Sequence, residues 1–446
     1  MLAALLSSDP VRPAELPARE SSPAARDTSP ALQQEALAAF KKRQYDHVVR
    51  LLEAAPQGQE SSRELLRVGL LSYLRLGRPE PALNAYKRLI PPGKSDNPRL
   101  LREIAIAFIT SRVRDPQEHV RIAAYTALAE IASREVVPLL EDGLLDSSIL
   151  VRARAVEGLG RSGLTTTTAA LTRALEDPAP AVRIAALNAL GERRDPTLRD
   201  LFTRIARVEE GAIHVFALAA LVKLGQSDAL AEIMSAATLP DADARMAAVG
   251  VLGRLKRPTS LSLLSQSVYD PDPAVRAFAA GALGEFGNAG GAPSLVHALE
   301  DENARVRGTA AASLGRLKLA HTRPLLWQAT RDPVELVRAG AVEGLLRLGD
   351  SEAVLVAADL ARHSDPSVRS ASAQALGLTG NRKALQVLET LMQDQQPQPR
   401  LTAARALAKI GGREVVPLLK KALQDSDPAV RIAAAGSLAQ VLTAPR

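Results

Sequence analysis

From about residue 113 onward, apolar and polar positions recur on a fixed beat. Stepping by 31 residues from Arg183 lands on Arg121, Arg152, His214, Arg245, Arg276, Arg307, Arg338, Arg369, Arg400 and Arg431, with no insertion or deletion. Seven positions further on, all eleven registers carry Leu, from Leu128 to Leu438, and three positions on the residue is Ala everywhere except Ser372. The apolar residues around these columns fall at helical spacing and predict one helix per unit with a single apolar face. Asp-Pro pairs such as Asp115-Pro116, Asp177-Pro178 and Asp332-Pro333 precede it. Asp is a good N-terminal cap, and proline fits the first helical turn, where its missing N–H costs nothing. Gly163, Gly225, Gly287, Gly349, Gly380 and Gly411 stand eleven positions after the key residue, where a glycine ends a helix.

A second apolar segment follows in each unit, as in "REVVPLLKKALQD" at 413–425. Its deepest column lies nineteen after the key residue and runs from Leu140 and Leu171 to Leu388 and Leu419. Each unit is therefore two short antiparallel helices. Neither hides its apolar face alone, so the units must stack. With 46% hydrophobic residues but only 3% aromatics, the core is built of Ala, Leu, Val and Ile, which suits close helix packing.

The pattern D-x-x-x-x-V-R-x-x-A-x-x-A-L, as it stands from Asp177 to Leu190, resembles HEAT repeats. The 31-residue period is similar to the short subtype found in phycobilisome-lyase-type proteins. The resemblance implies an all-α, right-handed α-solenoid of stacked two-helix repeats over residues 99–446. Residues 99–112 would be a capping half-repeat, followed by eleven registers that end in a terminal half-repeat. Such arrays mostly bind other macromolecules, and the fold hosts several activities.

The N-terminal third reads differently. Residues 1–30 are rich in Ala, Pro, Ser and charge without periodicity, which predicts a disordered leader. From Ala31 the pattern becomes helical, and "FKKRQYDHVVRLLEAA" (40–55) matches "YLRLGRPEPALNAYKRLI" (73–90) at an offset of 34. That offset, with Gly77 at the inter-helix turn and Ala82 on the second helix, resembles tetratricopeptide repeats over residues 31–92. A linker at 93–98, within "PPGKSDNP", then marks the boundary.

Charge narrows the partners. The chain carries a net +7, but residues 1–112 hold 17 basic against 12 acidic residues and residues 113–446 hold 39 against 37. A nearly neutral array disfavours nucleic acid, and no run of basic residues exceeds the three at Lys41, Lys42 and Arg43. The absence of cysteine removes thiol catalysis, disulfides and Cys-type zinc sites. No apolar stretch reaches the roughly 20 residues of a membrane span. "MLAALLSS" at the start is too short for a secretory segment and has no basic flank. A cytoplasmic protein is expected, or an exported one if a signal peptide begins upstream.

Candidate chemistry is sparse. His47, His119, His297, His321 and His363 lack metal-ligand spacing, and no His-Glu dipeptide occurs. "GKS" at 93–95 lacks the glycine a phosphate loop requires, since Arg88 occupies that place. No cofactor is expected, and a small-molecule ligand is disfavoured. Asp six before the key residue pairs with it repeatedly: Asp115 with Arg121, Asp146 with Arg152, Asp177 with Arg183, Asp270 with Arg276, Asp301 with Arg307, Asp332 with Arg338, Asp394 with Arg400 and Asp425 with Arg431. Eight copies exceed what an active site needs. They predict a structural ladder, each Arg bonding loop Asp and carbonyl groups of its own or the adjacent repeat. The ladder breaks where Val208 and Leu239 replace Asp and His214 replaces Arg.

On the second helices, the column twenty after the key residue is mostly polar and should face solvent, on the concave side if the array curves as its relatives do. Trp327, the single Trp of the chain, falls there with Val296. Tyr269, His297 and Arg323 lie nearby, making an expected protein-binding patch of residue types common in interface hot spots. These features together predict a non-enzymatic scaffold for protein partners. The alternatives are a bilin lyase-like or chaperone-like factor and, third, a nucleic-acid-binding array.

Overall fold

The computed structural model describes residues 30–54, 63–91, 93–380 and 382–443. The leader assigned to residues 1–30 lies outside them except for Pro30. The described residues are all-α, with no strand among them.

Four helices come first: α1 (Pro30–Lys41), α2 (Tyr45–Ala54), α3 (Arg63–Arg75) and α4 (Pro79–Leu89). They pack as two consecutive hairpins, α1 on α2 and α3 on α4. Gly77, at φ +67°, makes the turn between α3 and α4, a backbone conformation open to glycine at little cost. Then α5 (Pro98–Thr110) begins at Asn97, whose side chain caps it by accepting from the Leu100 N–H.

The repeat array follows in strict alternation of first and second helices. It opens with α6 (Glu118–Ile131), α7 (Val137–Gly143), α8 (Ile149–Arg161), α9 (Thr168–Arg173), α10 (Pro180–Glu192), α11 (Arg199–Val208), α12 (Gly211–Lys223) and α13 (Asp228–Ala236). It continues with α14 (Ala242–Leu255), α15 (Leu261–Gln266), α16 (Pro273–Phe286), α17 (Ala292–Ala298), α18 (Ala304–Arg316) and α19 (Arg323–Ala329). Its last members are α20 (Glu335–Arg347), α21 (Ala353–Leu360), α22 (Pro366–Thr379), α23 (Leu385–Leu391), α24 (Pro397–Ile410), α25 (Val416–Ala422) and α26 (Pro428–Thr443).

Small residues let the first helices touch along their lengths. The glycine eight positions after the key residue meets the residue six after it in the next repeat. A Cβ on Gly253 would lie 2.7 Å from the Ala282 methyl, and one on Gly315 would lie 2.3 Å from the Gly344 Cα. The second contact is backbone against backbone and cannot yield. Gly315→Ala is therefore expected to destabilise the array by about 2 kcal/mol, the usual cost of overpacking a core, read as a lowered melting temperature.

Each first helix packs on the next, whereas no two consecutive second helices pack to a comparable extent. Helices that crowd together lie on the tight side of a curve, so the first helices form the concave face and the second helices the wide rim. The curve closes. The last first helix, α26, packs on α24 before it, on α6 at the start of the array and on α5. A Cβ on Gly436 would come 2.9 Å from the Ala127 methyl across this seam.

At this closure α26 stands as a first helix and α5 packs beside it in the place of a second helix. Ile109 of α5 is fully buried, and it stands 31 residues before Leu140 in the deep column of the second helices. Polar contacts staple the seam. Lys420 holds Asp96 at 2.8 Å, Gln440 donates to Glu130 at 3.2 Å, and Lys87 reaches Gln424. Asp96 also accepts from the Tyr86 hydroxyl at 3.0 Å, and Tyr86 in turn accepts from the Asn97 N–H at 2.9 Å, tying the N-terminal helices to the ring. Burial and the neighbouring Asp96 carboxylate both raise the Tyr86 phenol far above its ordinary range, with the Asn97 N–H pulling the other way, so it stays a donor.

At the usual interaxial spacing of ~8–10 Å, eleven first helices enclose an axis-to-axis circle roughly 30 Å across. Subtracting the width of a helix leaves an opening of about 20 Å, wide enough for a helical segment.

Candidate interaction surface

Seven rungs join neighbouring repeats along one edge of the ring. In each, the Arg Nη1 donates to the carbonyl six residues before it, for example Arg276 to Asp270 O at 3.0 Å. The other edge of the guanidinium, Nε and Nη2, grips the Asp of the following repeat. Arg276 holds Asp301 at 2.7 and 3.0 Å, and Arg152 holds Asp177 at 2.7 and 3.0 Å. The same fork joins Arg121 to Asp146, Arg245 to Asp270, Arg307 to Asp332, Arg369 to Asp394 and Arg400 to Asp425. Each Asp also accepts a backbone N–H two residues on, as Asp301 does from Asn303 at 2.8 Å. The carboxylate closes its own loop while it receives the preceding repeat.

Four registers depart from this. Where Val208 stands in place of Asp, Arg183 turns to Glu209 at 3.4 Å and leaves its buried Nε without an acceptor. His214 bonds the Ala206 carbonyl through Nδ1 at 2.7 Å, and Leu239 opposite it has no donor to receive. Val208 and Leu239 are instead exposed. His363 stands where Arg338 would find its Asp, and Arg338 pairs with Glu335 of its own helix at 2.9 Å. At the seam Asp115 accepts from Arg112 at 3.3 Å, and among the described residues Arg431 keeps only its carbonyl contacts, to Asp425 O at 2.8 Å and Ser426 O at 3.2 Å.

The aromatic patch resolves into two separate pairs. Tyr269, well exposed, stacks on His297 with ring centroids 4.5 Å apart and planes at 26°. Trp327 is half-buried against the core. Its indole N–H donates to Asp350 at 2.9 Å, and Arg323 approaches the same carboxylate at 3.5 Å. Val296 packs partly into the core. Two expectations need correction. Trp327 is anchored rather than open, because Asp350, in the loop before α21, satisfies its one polar atom. All five residues also sit on or beside second helices, hence on the wide rim and not on the concave face.

The concave face is formed by the first helices, and here the sequence reading missed the exposed apolar residues. Leu150, Phe278, Leu336 and Leu378 are each 38–54% exposed on α8, α16, α20 and α22. Leu336 borders a groove of about 290 Å³ floored by Gly308, Gly340 and Ala371 across three successive first helices. A second groove of about 490 Å³ lies over Ile184 and Ala185, between α8 and α10. Charges rim these floors in neutralised sets. Glu343 receives Arg347 at 2.9 Å and Arg316 at 3.4 Å, and Glu192 receives Lys223 at 2.7 Å. Arg254 lies over the Phe216 ring, 5.1 Å from its centroid. The sequence signal for this face was the set of positions two before, two after and nine after the key residue, which hold Leu150 and Leu336, Phe278, and Leu378 in turn.

Among the described residues, no group of His, Asp and Glu could hold a metal ion, and no helix is long and apolar enough to cross a membrane.

A family model described as HEAT repeats matches residues 143–214, 262–345, 322–400 and 390–446. No curated protein sequence matches the chain. Among solved structures, it is similar to the complex of CpcE and CpcF of phycocyanin lyase from Nostoc sp., at 19% identity over 60% of this chain and 92% of that one, with a TM-score of 0.35. It is similar to human deoxyhypusine hydroxylase at 18% identity, over 56% of this chain and 98% of that one, with a TM-score of 0.31. A Kap121p mutant aligns at 14% identity over 90% of this chain and 54% of that one, with a TM-score of 0.36.

Proposed function

The chain belongs to the HEAT-repeat family, and on that premise we propose that it is a non-enzymatic scaffold that seats a segment of a partner protein against the concave face. The observation carrying this reading is the set of exposed apolar side chains on otherwise small-residue first helices, above all Phe278 on α16 and Leu336 in the wall of the groove across α18, α20 and α22. A floor of Gly and Ala lets a partner backbone approach closely. The protruding Phe and Leu supply the buried anchors that dominate interface energy. The paired rim charges discriminate partners more than they add affinity.

Partners captured by the wild-type chain from cells of its source should be lost when Phe278→Glu and Leu336→Glu are combined. Both positions are solvent-facing, so the melting temperature should stay within a few degrees. Tyr269→Ala and Trp327→Ala, on the wide rim, should leave that capture unchanged. Loss of the partner with the rim variants, and retention with the concave-face pair, would move the site to the aromatic residues and overturn this reading.

A further inference from the structure

Arg431 occupies the one ladder position whose guanidinium fork receives no carboxylate among the described residues. Its Nη1 bonds the Asp425 and Ser426 carbonyls as in the seven complete rungs. In a closed ring the carboxylate due to its Nε and Nη2 is that of Asp115, which has the same place before Arg121 that Asp146 has before Arg152. Asp115 is engaged elsewhere, by Arg112 at 3.3 Å and by the Gln117 N–H at 3.0 Å. Arg112 also pairs with Glu80 of α4 at 3.4 Å. The N-terminal hairpins therefore hold the arginine that keeps Asp115 from closing the eleventh rung.

A cavity of about 290 Å³ lies at this seam, with Arg431 in its wall. Leu83, Phe108 and Leu423, themselves buried, underlie it, and Glu80 and Asp425 line it beside them. Both of those acids already have partners, Arg112 for Glu80 and Arg400 for Asp425. Among the described residues, no carboxylate bonds the fork of Arg431 in this cavity. Its sister arginines show what the same fork accepts: a carboxylate, through two parallel N–H···O bonds of 2.6–3.0 Å. Bidentate arginine–carboxylate pairs are among the stronger hydrogen-bonded contacts and are geometrically selective.

We propose that the seam is a binding site for a carboxylate carrying an apolar group. The carboxylate takes the unfilled fork of Arg431, and the apolar group lies across the cavity floor above the buried Leu83, Phe108 and Leu423. The carboxylate can come from an acidic side chain of a bound protein or from a free organic acid. This site is independent of the concave face.

The test is calorimetric titration of the full chain with two probes: 3-phenylpropionate, and the blocked peptide acetyl-Ala-Leu-Glu-Asp-Pro-Ala-amide, which copies a sister loop. At least one should bind with one-to-one stoichiometry, and the uncharged 3-phenylpropionamide should not. Binding by the peptide alone identifies a protein carboxylate as the ligand; binding by the acid alone identifies a free organic acid. Arg431→Lys keeps the charge but removes the fork, and should weaken binding at least tenfold. Arg112→Ala should do the same by releasing Asp115 to fill the fork. Asn84→Trp, at an exposed position in the cavity wall, should block entry while leaving Arg431 intact. Failure of both probes to bind the wild-type chain overturns the proposal. So does binding that survives Arg431→Lys and Asn84→Trp.

Discussion

Removing α26, by ending the chain at residue 427, is expected to open the ring and raise its Stokes radius. The helix buries Val430, Ile432 and Leu438 together with Ala433, Ala434, Ala435 and Ala439. Those residues face α24, α6 and α5 at once. Burial of the three larger side chains alone is worth about 6 kcal/mol, taking ~2 kcal/mol for each. Deleting the helix also strips cover from α5, whose Leu101, Ile104, Ala105 and Ile109 are fully buried. A truncated chain should show new dye-accessible apolar surface and a larger radius of gyration by small-angle scattering, or should self-associate through the bared faces. A milder version is Leu438→Asp, which places an unpaired charge in the seam. If the truncated chain kept the radius and melting temperature of the full chain, the seam would not be holding the ring.

The second large effect concerns the ladder. Asp301→Ala removes the acceptor for the Arg276 fork and for the Asn303 N–H, in a pair whose side chains are only 11% and 10% exposed. Breaking one partner of such a pair should cost about 3 kcal/mol, because the remaining charge is left without its counterpart. Replacing both partners with apolar residues of similar volume should cost less, and a double-mutant cycle would read the difference.

The ladder also sets the response to acid. Burial pushes the Asp301 carboxyl up, but the Arg276 fork and the Asn303 N–H outweigh it and hold the pKa below the usual carboxylate value. Asp146, Asp270 and Asp332 show the same balance. For Asp177 and Asp394 the arginine hydrogen bond is the leading cause. A carboxyl with a folded-state pKa below its unfolded one contributes stability that is fully present above the unfolded value, near pH 4. It is lost as the pH falls through the folded value. Six such groups acting together predict a steep loss of stability below about pH 4. Asp301→Ala should make that slope shallower. An unchanged slope would mean that the ladder carboxylates are not the groups being titrated.

Much of this was legible in the chain. The helices, their order and the cost-free placement of proline and glycine at their ends are local matters, and the 31-residue beat exposes them. The Asp–Arg pairing was legible as a recurring column, but its partners were not. Asp177 and Arg183 lie six residues apart, yet the Asp177 side chain bonds Arg152 of the preceding repeat, and Arg183 bonds the Asp177 carbonyl and not its carboxylate. Nothing in one repeat says which neighbour a side chain will reach. Trp327 illustrates the same limit. Its column is mostly polar in other repeats and suggests exposure, but Asp350, 23 residues on, anchors the indole.

By itself the sequence determined that the chain is an all-α array of two-helix units with an Ala- and Gly-lined contact between first helices. It also led to the expectation of half a unit at each end of the array. Only the tertiary structure decided which helices line the concave face, and that the two halves meet. Those outcomes depend on the small rotation each repeat makes against the next, which must accumulate to a full turn at about 33° per repeat over eleven repeats. Such an angle arises from the sum of many close contacts, such as Gly315 on Gly344 and Gly436 on Ala127. No single column encodes it, and the unfilled fork of Arg431 exists only because the ring closes there.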